Sequence, residues 1–136
     1  MAKLFRVVLP VTNLDHAVRL YSGLLQLSGT RVSGGRHYFD CEGTILVCYE
    51  AAADGDDPSP QPTCHPGQFI YFSVRDLDAA HQRAVALGFT IKTGDIRKMP
   101  WGERIFWATD EFGNQISFVE SGTEYLGRSP VEWEKQ

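Results

Sequence analysis

The sequence predicts an α+β fold: two tandem βαβββ modules forming a curved, mixed and mostly antiparallel sheet around a cup. Three observations predict it. A helix-entry phrase occurs twice, as Val11-Thr-Asn-Leu14-Asp15-His-Ala17 and Val74-Arg-Asp-Leu77-Asp78-Ala-Ala80. Each copy follows an alternating apolar run and opens an apolar stripe at helical spacing. Each helix is then followed by three more extended segments separated by turn residues. Two copies are too few for a solenoid, so the modules are expected to share one core in a single domain.

The first strand is expected over residues 4–11. Asn13 then caps a helix over 14–25, with Leu14, Ala17, Val18, Tyr21 and Leu24 as its stripe. An extended segment over 27–32 leads into a Ser33-Gly34-Gly35 turn. Strands over 37–41 and 44–49 form a hairpin about Glu42-Gly43, which closes module one at residues 4–50. Residues 51–66, AAADGDDPSPQPTCHP, lack periodicity and read as a mobile linker. Its Asp54, Asp56 and Asp57 read as a solvated cluster, because the spacing and closing Glu of an EF-hand are missing.

Module two covers residues 67–122. Phe69 to Val74 alternates in space, and Asp76 caps the second helix, with Asp78 in its first turn. Leu77, Ala80, Ala84 and Leu87 make the apolar stripe, and Gly88 supplies the left-handed stop. A short strand over 90–93 follows, then a connection through Met99-Pro100-Trp101-Gly102. Strands over 104–109 and 115–120 flank the turn Asp110-Glu-Phe-Gly113-Asn114, where Gly and Asn tolerate positive φ. In the tail, residues 123–136, Tyr125, Leu126 and Trp133 are expected to pack down.

The 136 residues are 43% hydrophobic and 22% charged, an ordinary globular balance that supports one core. A formal charge of −4 with no basic stripe argues against nucleic acid and mildly favours cationic ligands. No apolar run reaches a membrane span, and the N-terminal segment enters a strand rather than a cleavage site. Cys41, Cys48 and Cys64 are odd in number and have no CxxC spacing, so reduced thiols in a cytoplasmic protein are expected.

The paired modules, the V-x-x-L-D helix entries and the run MPWGERIFWATDEFGNQISFVE together resemble the vicinal oxygen chelate superfamily. Its members include glyoxalase I, extradiol dioxygenases, and fosfomycin- and bleomycin-resistance proteins. The resemblance spans residues 4 to 122 and implies a homodimer. It also implies a divalent metal in the cup of the enzymes, held from each module's first and last strands. Carried over position by position, those sites hold Arg6, Val47, Phe69 and Ser117. A catalytic divalent site needs about three N, O or S ligands and an open position. None of these four supplies a normal one, and a guanidinium stays charged. His16, His37, His65 and His81 show no ligand spacing either, so no metal cofactor is expected.

Strand parity assigns the lining. Arg6 and Val8, Val47 and Tyr49, Phe69 and Tyr71, Ile105 and Trp107, and Ser117 and Val119 face the cup, with Arg97 and Trp101 at its rim. Ile70, Phe72, Phe106, Ile116 and Phe118 face the helices. Such an aromatic lining suits a planar or cationic small molecule. Arg6 reads either as an ion-pair partner of Glu50 or Glu120, or as an anchor for a ligand carboxylate, phosphate or enolate. The expectation is a metal-free binding protein of the bleomycin-resistance type, sequestering a drug or metabolite. The alternative is a lyase, isomerase or dioxygenase relative with non-standard or no metal ligands, using Arg6, Tyr71 or His65. A third reading is an accessory domain with a vestigial cup.

Overall fold

The computed structural model describes residues 1–57 and 67–128, except for the side chain of Thr93. His65, Cys64 and Trp133 lie outside the described residues. The chain runs β1 (Arg6–Pro10), α1 (Leu14–Leu25), β2 (Thr30–Ser33), β3 (Arg36–Cys41), β4 (Thr44–Tyr49) and a 3-10 turn (Ala52–Asp54). It continues with β5 (Ile70–Val74), α2 (Leu77–Ala86), β6 (Thr90–Lys98), β7 (Arg104–Thr109) and β8 (Gln115–Glu120). This is βαβββ twice, an α+β architecture. Two compact units correspond to the modules, except that Phe112–Asn114 belong to the first. No described helix is long and apolar enough to cross a membrane.

Hydrogen bonding orders the strands β1-β4-β3-β2 in one sheet and β5-β8-β7-β6 in the other. In each sheet the first strand lies parallel to the last, and the remaining pairs are antiparallel. The helix carries the chain across the sheet, from the first strand at one edge to the second at the other, and hairpins lead back to the fourth strand beside the first. The helix therefore packs on one face of its own sheet.

α1 begins where Asn13, in extended conformation, accepts the His16 N–H at 3.1 Å. Glu50, just past β4, accepts the Leu14 N–H at 2.7 Å, so a carboxylate from the end of the module also sits on the helix start. Leu14, Ala17, Leu20, Tyr21 and Leu24 are buried, with Leu20 taking the place expected for Val18. They pack toward Leu9, Phe39, Leu46 and Cys48 on the sheet. The left-handed stop falls on Gln26. In α2, Asp76 accepts the Ala79 N–H at 3.0 Å, and Gly88 takes φ +88° just beyond the end. Its buried Ala80 and Ala84 are small enough to bring the helix close to the sheet. Below lies a stack of Phe72, Phe118 and Phe106, with centroids 5.2 and 5.3 Å apart. His81 meets Phe106 edge-on at 5.1 Å.

Further expectations change. β6 runs to Lys98 rather than stopping near 93, because Arg97 and Lys98 rejoin the ladder opposite Ile105 and Arg104 after an irregular stretch. Gly94, at φ +82° inside that stretch, breaks the alternation that marks strands in a sequence. In the tail, Tyr125 is tied by its N–H to Glu103 at 2.9 Å, but Leu126 remains 67% exposed. In the β7–β8 turn only Gly113 takes positive φ. Asn114 is instead fully buried, and its amide donates to the Pro10 carbonyl at 2.9 Å.

The start of the linker is also built rather than solvated. Asp54 accepts the Ser33 hydroxyl at 2.8 Å and the Gly35 N–H at 2.6 Å, and pairs with Arg36. Its carboxyl is held below the ordinary range, chiefly by the Ser33 hydroxyl and then by Gly35 and Arg36, against the opposing pull of desolvation. Gly35 is required by space. A Cβ there would strike the Glu50 carbonyl oxygen and the Asp54 carboxylate.

Three outcomes follow from these contacts. Gly35→Ala should cost about 1–3 kcal/mol of stability through overpacking, read by urea unfolding. Asn114→Ala should cost about 1–3 kcal/mol by the same measurement, since a buried polar partner is lost. Asp54 has a folded pKa below its unfolded one, so its contribution is present above about pH 4 and fades as pH falls through the lowered value. The melting-temperature gap between the protein and Asp54→Asn should be widest at neutral pH and narrow in acid. A gap independent of pH would contradict the role given to this carboxylate.

Candidate functional site

The candidate site is the face of each sheet turned away from its helix, and each face is set by register. In the first unit three cross-strand rows share this face. They are Arg6–Ile45–Asp40, Val8–Val47–Tyr38 and Pro10–Tyr49–Arg36. Val47, at the centre, is buried, whereas Val8 on the edge strand is 48% exposed. Tyr49 donates its hydroxyl to Asp56 and lies beneath the Arg36 guanidinium, 4.4 Å from ring centroid. The bond to Asp56 pushes the phenol up, and burial and the Asp56 charge add to it. Arg36 is in turn held by Asp54 and Asp56. Tyr49 is thus committed to a local polar cluster.

Arg6 is exposed, with its guanidinium 5.0 Å from the Phe5 ring centroid and 5.3 Å from that of Tyr38. The carboxylates proposed for it are engaged elsewhere. Glu50 serves Leu14, and Glu120 pairs with Arg104. Tyr38 and Arg36 were not assigned from the sequence. The signal lay in β3, where the buried His37 and Phe39 alternate with Arg36, Tyr38 and Asp40.

In the second unit the rows are Lys92–Trp107–Ser117–Tyr71 and Arg97–Ile105–Val119–Ser73. Tyr71 is 57% exposed, and the ring of Phe69, just before β5, lies 6.4 Å from it. Trp107 is half-buried and Ile105 is buried. Arg97 is exposed on β6, and Trp101, in the connection before β7, donates its indole N–H to Glu103 at 2.7 Å. Ser117 is fully buried, and its hydroxyl donates to the Phe106 carbonyl at 3.1 Å. Phe106, Ile116 and Phe118 are buried on the helix side as parity required, and Ile70 and Phe72 are half-buried there.

The four positions at which the resemblance places a metal do not fit one. In the first unit a guanidinium has no lone pair to give and Val47 has no donor atom. In the second, Phe69 is a phenyl ring and the Ser117 hydroxyl is committed to a backbone carbonyl. Among the described residues no three of His, Cys, Asp and Glu converge. His37 is buried and donates Nε2–H to the Ser28 carbonyl at 2.9 Å, while His16 and His81 lie on the helices. Cys48 is buried and Cys41 half-buried, both as free thiols, and burial with the neighbouring Asp40 charge raises the Cys41 thiol.

Comparison with known proteins agrees with this architecture. The family model described as the Glyoxalase/Bleomycin resistance protein/Dioxygenase superfamily matches residues 3–118. A glyoxalase-related enzyme from Fulvimarina pelagi superposes with a TM-score of 0.75 at 16% identity, covering 96% of this chain and 97% of that one. A superfamily member from Sphaerobacter thermophilus DSM 20745 gives 0.68 at 23% identity, covering 89% and 98%. Lactoylglutathione lyase from Agrobacterium tumefaciens gives 0.66 at 19% identity, covering 89% and 95%. No curated protein matches. At these identities the structures speak for the fold, and the family model for membership. With paired βαβββ modules and a match over most of its length, the chain belongs to the glyoxalase/bleomycin resistance protein/dioxygenase superfamily.

Proposed function

We propose that this protein is a metal-free small-molecule-binding member of its superfamily, which sequesters a ligand with a planar apolar body on the open faces of its sheets. One observation carries the reading. The positions that hold a metal in the family's enzymes are filled here by Arg6, Val47, Phe69 and Ser117, none of which can serve as an ordinary ligand. The open faces keep aromatic surface that the cores do not use. Tyr71 is exposed, and Tyr38 and Trp107 are half-buried. Flat rings with a polar end give contact area at little conformational cost. The proposal includes a homodimer, to be checked by light scattering.

Two measurements test it. Elemental analysis of untagged protein should show no stoichiometric metal, and Mn²⁺, Ni²⁺, Zn²⁺ or Fe²⁺ should produce no saturable rise in melting temperature. A stoichiometric metal would assign the chain to the metal-dependent chemistries instead. Calorimetric titration with 2-naphthol, a neutral planar probe, should show saturable binding. Tyr71→Ala or Tyr38→Ala should weaken it by about tenfold, close to 1.4 kcal/mol. Binding indifferent to both substitutions would remove the open faces as the site.

A further inference from the structure

Resting on that reading, we propose that the ligand is an anion, and that the Arg6 guanidinium anchors its carboxylate, phosphate or enolate oxygens. Among the described residues Arg6 makes no ion pair. The carboxylates of its own unit that the structure describes nearest in the sheet make other contacts. Glu50 accepts the Leu14 N–H at 2.7 Å, and Asp40, on the same cross-strand row, accepts the Gly43 N–H at 2.8 Å. Asp54 and Asp56 take Arg36. The two arginines of this face therefore differ. Arg36 is neutralised inside the structure, whereas Arg6 is not.

Arg6 is also placed. Its guanidinium rests against the Phe5 and Tyr38 rings at 5.0 and 5.3 Å, contacts that favour a cation and restrict the fork. A planar fork so restricted can take two oxygens of one anionic group at little further loss of freedom. The next row on the same face, Val8–Val47–Tyr38, is apolar and aromatic and is suited to the body of such a ligand. The second unit's open face carries the same sign by itself. Lys92 and Arg97 are exposed there, and among the described residues neither makes an ion pair. The carboxylate at the far end of that face, Glu124, is held by the Ser73 hydroxyl and the Gly122 N–H, both at 2.6 Å. The chain as a whole is at −4, so bulk charge favours cations and an anion preference must be local.

The test uses three probes that share one ring system. These are 2-naphthoate, neutral 2-naphthol and the cation 2-naphthylmethylammonium, titrated calorimetrically into the intact chain at low salt. The naphthoate should bind at least about tenfold more tightly than the cation, as a charge-assisted bidentate contact supports. Arg6→Gln should remove that preference while the melting temperature stays unchanged. Arg6→Lys should restore only part of it, since charge remains but the fork is lost. If naphthol binds but the cation equals or exceeds naphthoate, the anion is overturned and the binding reading stands. Naphthoate affinity unchanged in Arg6→Gln would overturn Arg6 as the anchor. If none of the three binds, the binding reading itself falls, and this inference with it.

Discussion

In each module the first strand lies parallel to the last, β1 on β4 and β5 on β8, and most of the molecule follows from that pairing. Two parallel neighbours cannot be joined by a tight turn. The helix takes the chain from the first strand at one edge to the second at the other, and the hairpins that follow bring the last strand back beside the first. One helix can cover only one face. Leu9, Phe39, Leu46 and Cys48 in one unit, and Phe106, Ile116 and Phe118 in the other, are buried by this arrangement. The opposite parity is left to Arg6, Val8 and Tyr38, and to Tyr71, Trp107 and Arg97. An open face bearing exposed rings and cations is thus a consequence of how the strands are ordered.

The two modules repeat a backbone plan but use its polar positions differently. Asn13 and Asp76 cap their helices in the same way. The glutamates at the ends of β4 and β8 do not match. Glu50 reaches the start of α1, while Glu120 binds Arg104, which also lies 3.7 Å from Asp78 in the first turn of α2. The family's turn motif at Asp110 to Asn114 has a structural use. Gly113 turns the chain, and Asn114 is buried within the first unit, where it satisfies the Pro10 carbonyl. A buried amide without a partner is expensive, and this bond gives the asparagine a role apart from any ligand.

Membership of this superfamily fixes the scaffold and leaves the chemistry open, because function resides in the side chains placed on it. Here the placement distinguishes residues that a list of candidates treats alike. Val47, Ile105 and Ser117 sit on the correct faces but are buried, so they build the floor. Tyr49 is drawn into the Arg36–Asp56 cluster and Trp101 into a bond with Glu103. Arg6 and Tyr38 in the first unit, and Tyr71, Trp107 and the β6 cations in the second, remain exposed or half-buried on these faces.

The sequence by itself determined the duplication, both helices with their capping residues, the strands β4, β7 and β8, and the parity that separates core from open face. These depend on neighbours within a few positions, where capping chemistry and the 3.6- and 2-residue periods act directly. Tertiary structure alone decided the rest. Asp54 looks like one acid in a solvated run until a turn brings it to Ser33, Gly35 and Arg36, 18 to 21 residues away. Asn114 meets Pro10 across 104 residues. β6 extends because β7 pairs with it on both sides of an irregularity. Among the described residues Arg6 makes no ion pair, whereas Arg36 on the same face is paired by Asp54 and Asp56 from 18 and 20 positions on. That outcome is set by competition among distant partners, which no local pattern in the chain records.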